Sequence, residues 1–371
     1  MKILHINCNY ITTRLHQTMI EHLEEKTDVD NLVFVPTYDK NRSVINPNNN
    51  VIISECFKKN DRFFFFYKQR KIINSLKKCV DIDDEHIDLI HAYTLFSDGN
   101  VAYSIYKEKG IPYVVAIRDT DINDFLKLKP FLLPRGIEIL RNAKKIYFLS
   151  PAYKKKILKK IIHSKFYAEI EKKIVIQPNG IDDFWFQNTS NRRKTLNDKK
   201  INIVCVAQIV KRKNIPIVQK SIDLLNDEGW NIHLTIIGKS VDKVLLKHLI
   251  KNSNTTYIDA IPKEKLIKYY QDSDIFVLAS LTETFGLVYA EAMSQALPVI
   301  YTKGQGFDEQ FEEGTVGFHV NPLSVKSISE AIKNVYLNYS NQSYNCTLLC
   351  KKFQWDSICK KYIDAYREII E

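Results

Sequence analysis

Glu283 and Glu291, with seven residues between them, stand in the stretch of the chain that carries the most chemical information. Ser280 to Ile300 reads SLTETFGLVYAEAMSQALPVI. The apolar run before it predicts a strand ending at Ala279. After a short polar loop the spacing predicts a helix, and Pro298 opens the next strand. A helix N-terminus presents unpaired amides and the positive end of a dipole. Gly286 permits close backbone approach to a ligand, so Phe285, Gly286 and Leu287 offer amide donors to an anionic or hydroxylated group. On spacing alone, Glu283 reads equally as a helix cap and Glu291 as a solvated side chain. Yet Glu291 stands among Ala290, Ala292 and Met293, a poor place for a carboxylate without a partner.

Two series of elements surround this segment. Apolar runs at Lys2 to Ile6, Leu32 to Val35, Asp88 to His91, Pro112 to Ile117, Lys145 to Leu149 and Ile174 to Ile176 predict strands. Helical stretches lie between them, among them Gly99 to Lys109, and Phe63 to Lys78 has apolar residues at mixed helical spacing. Asn41 to Asn50 reads as a surface loop. A second series follows at Ile201 to Ala207, Ile232 to Gly238, Thr256 to Ile258, Ile275 to Leu278 and Pro298 to Tyr301. Continuous apolar strands alternating with helices argue for parallel sheets covered on both faces, hence an α/β chain of two doubly wound, Rossmann-like domains. The expected division is an N-terminal domain over 1–184, a polar linker over 185–200, a C-terminal domain over 201–350 and a final segment over 351–371. Phe353, Trp355, Tyr362, Ile363 and Tyr366 give that last segment an apolar stripe.

The motif S-x-x-E-x-F-G-L-x-x-x-E-A-M-x-x-x-x-P-V-I resembles the E-x7-E region of retaining nucleotide-sugar glycosyltransferases of the GT-B fold, most closely glycosyltransferase family 4. PNGID at Pro178 to Asp182 resembles the family's interdomain motif. VAQIVKRKNI, Val206 to Ile215, resembles its segment of basic residues, and IIGKS, with Gly238, stands where a glycine turn is usual. The resemblance is strong in the C-terminal half and weaker in the N-terminal half. It implies two Rossmann-like domains facing a central cleft, the final helix crossing back to the N-terminal domain, and a nucleotide-sugar donor, UDP- or GDP-linked, held mostly by the C-terminal domain. It implies that Glu291 accepts hydrogen bonds from the ribose hydroxyls and that Glu283 acts at the transferred sugar. Lys213 would neutralise the departing diphosphate, with no metal or other cofactor needed.

The chain departs from the family pattern at three places. Gln208 replaces the usual arginine, with Lys211 or Arg212 as its substitutes. Asn9 to Arg14 replaces a glycine pair. The H-x-H of the N-terminal domain is His91-Ala92-Tyr93. His91 is a candidate for the active cleft, beside Asp98. Arg118 and Asp121 follow a strand and are candidates on the acceptor side, as strand C-terminal ends collect ligands. Each also reads as structural: a strand-end histidine or a capping turn. The D-x-D of Asp119 and Asp121 suggests a metal motif, but the other motifs belong to a metal-independent class. Gly304, Gly306 and Asp308 are expected to face the donor sugar.

Lys and Arg number 54 against 43 Asp and Glu, a net charge of +11. Such an excess suits an anionic partner. Most of it sits in Arg141 to Lys173, with eleven cations against two glutamates. There Tyr153, Ile157, Leu158, Ile161 and Ile162 have helical spacing among lysines, which suggests an anionic membrane surface and reads equally as a core-packed helix with a solvated basic face. No nucleic-acid motif accompanies the charge. The seven cysteines lack a C-x-x-C and do not form a disulfide or zinc pattern. The N-terminus is unlike a signal peptide, and no run reaches the about 18 apolar residues of a membrane span. The expectation is a cytoplasmic protein, peripheral on the inner face of the membrane. It would be a hexosyl-type transferase acting on a saccharide acceptor, expected to be lipid-linked, in capsule or exopolysaccharide biosynthesis. Alternatives are a catalytically silent GT-B subunit that activates a partner, or a nucleotide-sugar epimerase. A dinucleotide enzyme is disfavoured because the first strand is not followed by G-x-G-x-x-G.

Overall fold

In the computed structural model, which describes residues 1–26, 28–42, 50–161, 163–190 and 195–371, the apolar runs pair into two sheets. The first holds β1 (Lys2–Ile6), β2 (Asp30–Thr37), β3 (Val51–Glu55), β4 (Leu89–Ala92), β5 (Tyr113–Ile117), β6 (Lys145–Phe148) and β7 (Ile174–Ile176), in the order β3-β2-β1-β4-β5-β6-β7. The second holds β8 (Lys200–Val206), β9 (Asn231–Ile237), β10 (Thr255–Ile258), β11 (Ile275–Val277), β12 (Val299–Thr302) and β13 (Gly317–Val320), in the order β10-β9-β8-β11-β12-β13. All these pairings are parallel. The central strands are buried on both faces, which is why they read as unbroken apolar runs. The order reverses between β1 and β4 in one sheet and between β8 and β11 in the other, the switch points at which such sheets bind ligands.

β3 and β13 were not legible in the sequence. Both are sheet edges: β3 is half-buried over Val51 to Ser54 with Glu55 exposed, and β13 opens with a glycine and carries His319. Part of the expected Asn41 to Asn50 loop, 43–49, lies outside the described residues, as do Ile162 and 191–194 of the expected linker.

The chain forms two compact units, and their boundaries differ from those expected. Unit one comprises 1–149, 154–178 and 355–371; unit two comprises 150–153 and 179–354. The division therefore falls at Pro178, not at Phe184. Phe184–Gln187 is a helical turn of unit two whose Trp185 is buried edge-on against Tyr270, with ring centroids 5.5 Å apart. The helix Trp355–Ile370 packs in unit one. Its Trp355, Ile358, Cys359, Tyr362, Ile363 and Tyr366 share a core with Ile3, Met19, Leu23 and Leu89.

The basic segment also differs from its expectation. In the helix Pro151–Ile161, Tyr153, Ile157, Leu158 and Ile161 are all buried. The apolar stripe is consumed by the protein core, and what faces water is lysine alone. Among the described residues, no helix is long and apolar enough to cross a membrane.

Candidate functional site

At the switch point of the second sheet, the loops after β8 and β11 meet. The turn Lys211–Lys213 follows β8 and ends on Asn214, which adopts left-handed φ of 57°. The Asn214 side chain donates to Ala279 O at 3.0 Å and Pro322 O at 2.6 Å, and Leu281 N donates to Arg212 O at 2.8 Å. The two loops are thereby fixed to one another. Lys213 Nζ lies 2.5 Å from Glu283 Oε2, and both side chains are about nine-tenths buried. Ser280 Oγ donates to the same carboxylate oxygen at 3.2 Å.

The backbone of Glu283 is held as firmly as its side chain. Its N–H donates to Gln305 Oε1 at 3.1 Å; its carbonyl accepts from Gly306 N at 3.0 Å and from the Tyr153 hydroxyl at 2.6 Å. Gly306 is required for that approach, since a Cβ there would meet Thr284 O at 1.8 Å. Gly286 has φ of 79° and begins the helix Leu287–Ser294. A Cβ on it would collide with the Tyr289 ring at 2.5 Å. The Phe285 side chain is buried against Phe307 and Phe353, so only its backbone is available to a ligand, while Gly286 and Leu287 are half-buried.

Glu291 projects from that helix. Its carboxylate accepts from the Tyr270 hydroxyl at 3.4 Å. It is half-exposed by surface, but the protein around the carboxyl pushes its pKa up to about 7, burial being the main cause and Tyr270 opposing it. Asp182, the last residue of PNGID, adds to the rise, and Lys263, ion-paired with Asp182, counters it. Gly238, with φ of 149°, lets the ends of β8 and β9 close: a Cβ would meet Ala207 O at 2.1 Å. Gln208 and Arg212 are exposed. Asp308 accepts from Gly304 N at 2.5 Å and lies 3.2 Å from His319 Nδ1, which also lies 3.0 Å from Glu313 Oε2. These three side chains are close enough together to hold a metal ion.

The candidates in unit one fall differently. His91 is fully buried in β4. Its ring stacks on Tyr93 with centroids 4.3 Å apart, and its Nδ1 lies 2.5 Å from the Tyr366 hydroxyl. Burial holds it neutral, well below the usual histidine pKa. It is a core residue rather than a group open to a substrate. Asp121 organises a turn, accepting from Leu95 N, Phe96 N and Arg118 N at 3.0, 3.1 and 2.9 Å. Asp98 accepts from Cys8 N at 3.1 Å and Thr94 Oγ1 at 3.0 Å. Burial raises the two carboxyls to about 6 and about 7. Arg118 Nε reaches Tyr93 O at 3.3 Å. A cavity of about 530 Å³ does lie at the switch point of this sheet, between the ends of β1 and β4, lined by Cys8, Asn9, Thr94 and Ser97 and by the cations Lys59, Arg62 and Lys68. Sequence reasoning missed these cations, and it missed Ser280, Gln305 and Tyr153 as supports of Glu283. A lone serine or glutamine carries no local signal of such a contact.

The comparisons with known proteins bear on the family and the fold. The family model described as "Glycosyl transferases group 1" matches residues 186–346. The chain is 28% identical over 309 residues to the alpha-monoglucosyldiacylglycerol synthase of Acholeplasma laidlawii, covering 77% of this chain and 76% of that protein. It is 31% identical over 167 residues to the capsular polysaccharide biosynthesis glycosyltransferase CapM of Staphylococcus aureus, 42% of this chain and 43% of that one. In fold it matches HepE of Anabaena, solved with UDP and glucose, at a TM-score of 0.67 and 16% identity, over 99% of this chain and 100% of the other. The chain has the GT-B fold, it is similar to glycosyltransferases, and its match to the group 1 glycosyltransferases lies within the second unit.

Proposed function

We propose that the chain is a retaining transferase that moves a sugar from a UDP- or GDP-sugar to a lipid-linked saccharide in surface polysaccharide biosynthesis. The observation that carries the proposal is the buried Lys213–Glu283 pair at the switch point, with Glu291 on the helix that follows. Glu291 accepts the two ribose hydroxyls. The amides at Gly286 and Leu287 face the diphosphate, as helix N-termini favour anions. Lys213, already poised beside Glu283, shares its charge with the diphosphate as it leaves, so the reaction needs no resident metal. Glu283 then faces the positive charge that develops on the sugar ring, an interaction strongest in the transition state. The lipid acceptor and the pathway draw support from the names of the Acholeplasma and Staphylococcus relatives, and the nucleotide from the UDP bound by HepE.

The experiment is a panel of UDP- and GDP-sugars read by thermal shift and by transfer to a lipid-anchored saccharide or to the same saccharide free. Glu291→Gln should weaken donor and free nucleotide alike, by about 1.5–3 kcal/mol. Glu283→Gln should bind free nucleotide nearly as the parent does but turn over far more slowly. Transfer should persist in EDTA. If the parent binds no nucleotide-sugar at all, the silent-subunit reading replaces this one.

A further inference from the structure

Unit one exposes a concentrated set of large apolar side chains. Phe63, Phe64, Phe66 and Tyr67 are 63%, 68%, 61% and 55% exposed, and Leu128 and Phe131 are 71% and 66% exposed. The helix Phe65–Cys79 buries Phe65, Gln69, Ile72 and Leu76, which leaves Phe66 and Tyr67 on its outer face. The preceding turn, Lys59–Phe63, buries none of its residues. The second segment is tied to the first. Lys129 Nζ donates to Arg62 O at 2.7 Å, and the Phe65 ring meets Phe125 edge-on at 6.0 Å. A monomer rarely leaves a contiguous apolar patch of this kind to water.

The charge around the patch selects its partner. Residues 58–71 hold six Lys and Arg, and residues 127–135 hold three more. The acid within these segments, Asp61, is ion-paired with Lys71 at 2.8 Å. Aromatic rings ringed by cations are the composition of a surface that seats in the headgroup layer of an anionic bilayer, the rings entering the acyl boundary and the cations meeting lipid phosphate. The lysine-rich helix Pro151–Ile161 lacks this capacity because its apolar face is buried.

We propose that the surface formed by Phe63, Phe64, Phe66, Tyr67, Leu128 and Phe131 is a membrane-docking site for bilayers bearing anionic phospholipid. Lys59, Arg62 and Lys68 also line the cavity of about 530 Å³ in the same unit, so docking brings lipid headgroups beside that cavity. The site stands on exposure and charge in unit one and is independent of the chemistry assigned to Glu283 and Glu291.

The test uses the full chain with vesicles of phosphatidylcholine alone or mixed with phosphatidylglycerol. Sedimentation should show binding to the anionic vesicles at low salt and release at high salt. In Phe64→Trp, the emission of the new indole should shift to the blue on anionic vesicles and be quenched by brominated lipid. The variant Phe63→Ser/Phe64→Ser/Phe66→Ser should keep its melting temperature and lose more than about tenfold in vesicle affinity. Lys159→Glu/Lys160→Glu should lose less than that. Four results would overturn the proposal: no vesicle binding, equal binding to neutral vesicles, binding without a change at the Phe64→Trp indole, or a serine variant that differs from the parent only by dissociating an oligomer. None of these readouts requires nucleotide, so they succeed or fail separately from transferase activity.

Discussion

Lys213 and Glu283 each remove the cost of burying the other. With both side chains about nine-tenths buried, truncating one strands a charge that Ser280 alone cannot satisfy. Lys213→Met should destabilise unit two by about 3–5 kcal/mol, whereas Lys213→Met/Glu283→Leu should recover most of the loss. Hydrogen exchange of β8 and β11 is the suitable measure, since a chain of two units need not unfold in one step. Glu291 makes a different prediction. Its folded pKa of about 7 lies above its ordinary value of 4.5, so the folded state holds the proton longer than the unfolded chain. Between these values the unfolded state binds fewer protons, and stability falls as pH rises through the window. Glu291→Gln should flatten that fall. Ribose hydroxyls donate to the ionised carboxylate, so donor affinity should change the opposite way, increasing about tenfold between about pH 6 and pH 8, as the ionised fraction does. A nucleotide-sugar is the right probe by calorimetry, because its diphosphate diester does not titrate there. An affinity independent of pH in the parent would remove Glu291 from the ribose.

The loops matter more than the strands for placing Glu283. Gly306 allows the 303–308 loop to lie against Thr284, and Gln305 and Gly306 then bond both backbone groups of Glu283. Gly306→Ala must push the two loops apart, because the contact is with backbone that cannot rotate away. Turnover should fall by about a hundredfold, the effect of moving a reacting group by about 1 Å, while far-UV circular dichroism stays unchanged. Parental turnover would mean that Glu283 needs no such positioning. This level also marks what the sequence could reveal. The segment 280–300 was legible because its strand, loop, helix and strand each have a local signature, and central strands such as β5 and β11 were legible because both faces are apolar. β3 and β13 blend with loops: β3 ends on Ser54 and Glu55 and β13 opens on a glycine and carries His319, whereas β7, also an edge, is legible because its three residues are all β-branched and apolar. His91 misled because a histidine at a strand end looks the same whether it faces a ligand or the tyrosines that enclose it here. The helix Pro151–Ile161 misled likewise, since an amphipathic pattern does not say whether a core or a bilayer takes its apolar stripe.

At the scale of the whole molecule, neither unit is one continuous stretch of chain. The helix Trp355–Ile370, last in sequence, completes the core of the unit that begins the chain. Tyr366 meets His91 Nδ1 at 2.5 Å, and Cys359 Sγ reaches Met19 O at 3.6 Å. Removal of 355–371 should therefore weaken unit one. Ile3, Leu23 and Leu89 would lose their apolar cover, and His91 would lose both its hydroxyl partner and the Tyr362 and Tyr366 rings packed against it. Hydrogen exchange should accelerate in β1, β4 and the helix Leu15–Lys26, with β8, β9 and β11 still protected. Tyr366→Phe, which keeps the ring and removes only the hydroxyl, should reproduce a small part of that change. Its effect should be confined to β4 and its neighbours. Equal acceleration in both units would mean that they unfold together, and acceleration confined to the second would show that the helix supports the wrong core.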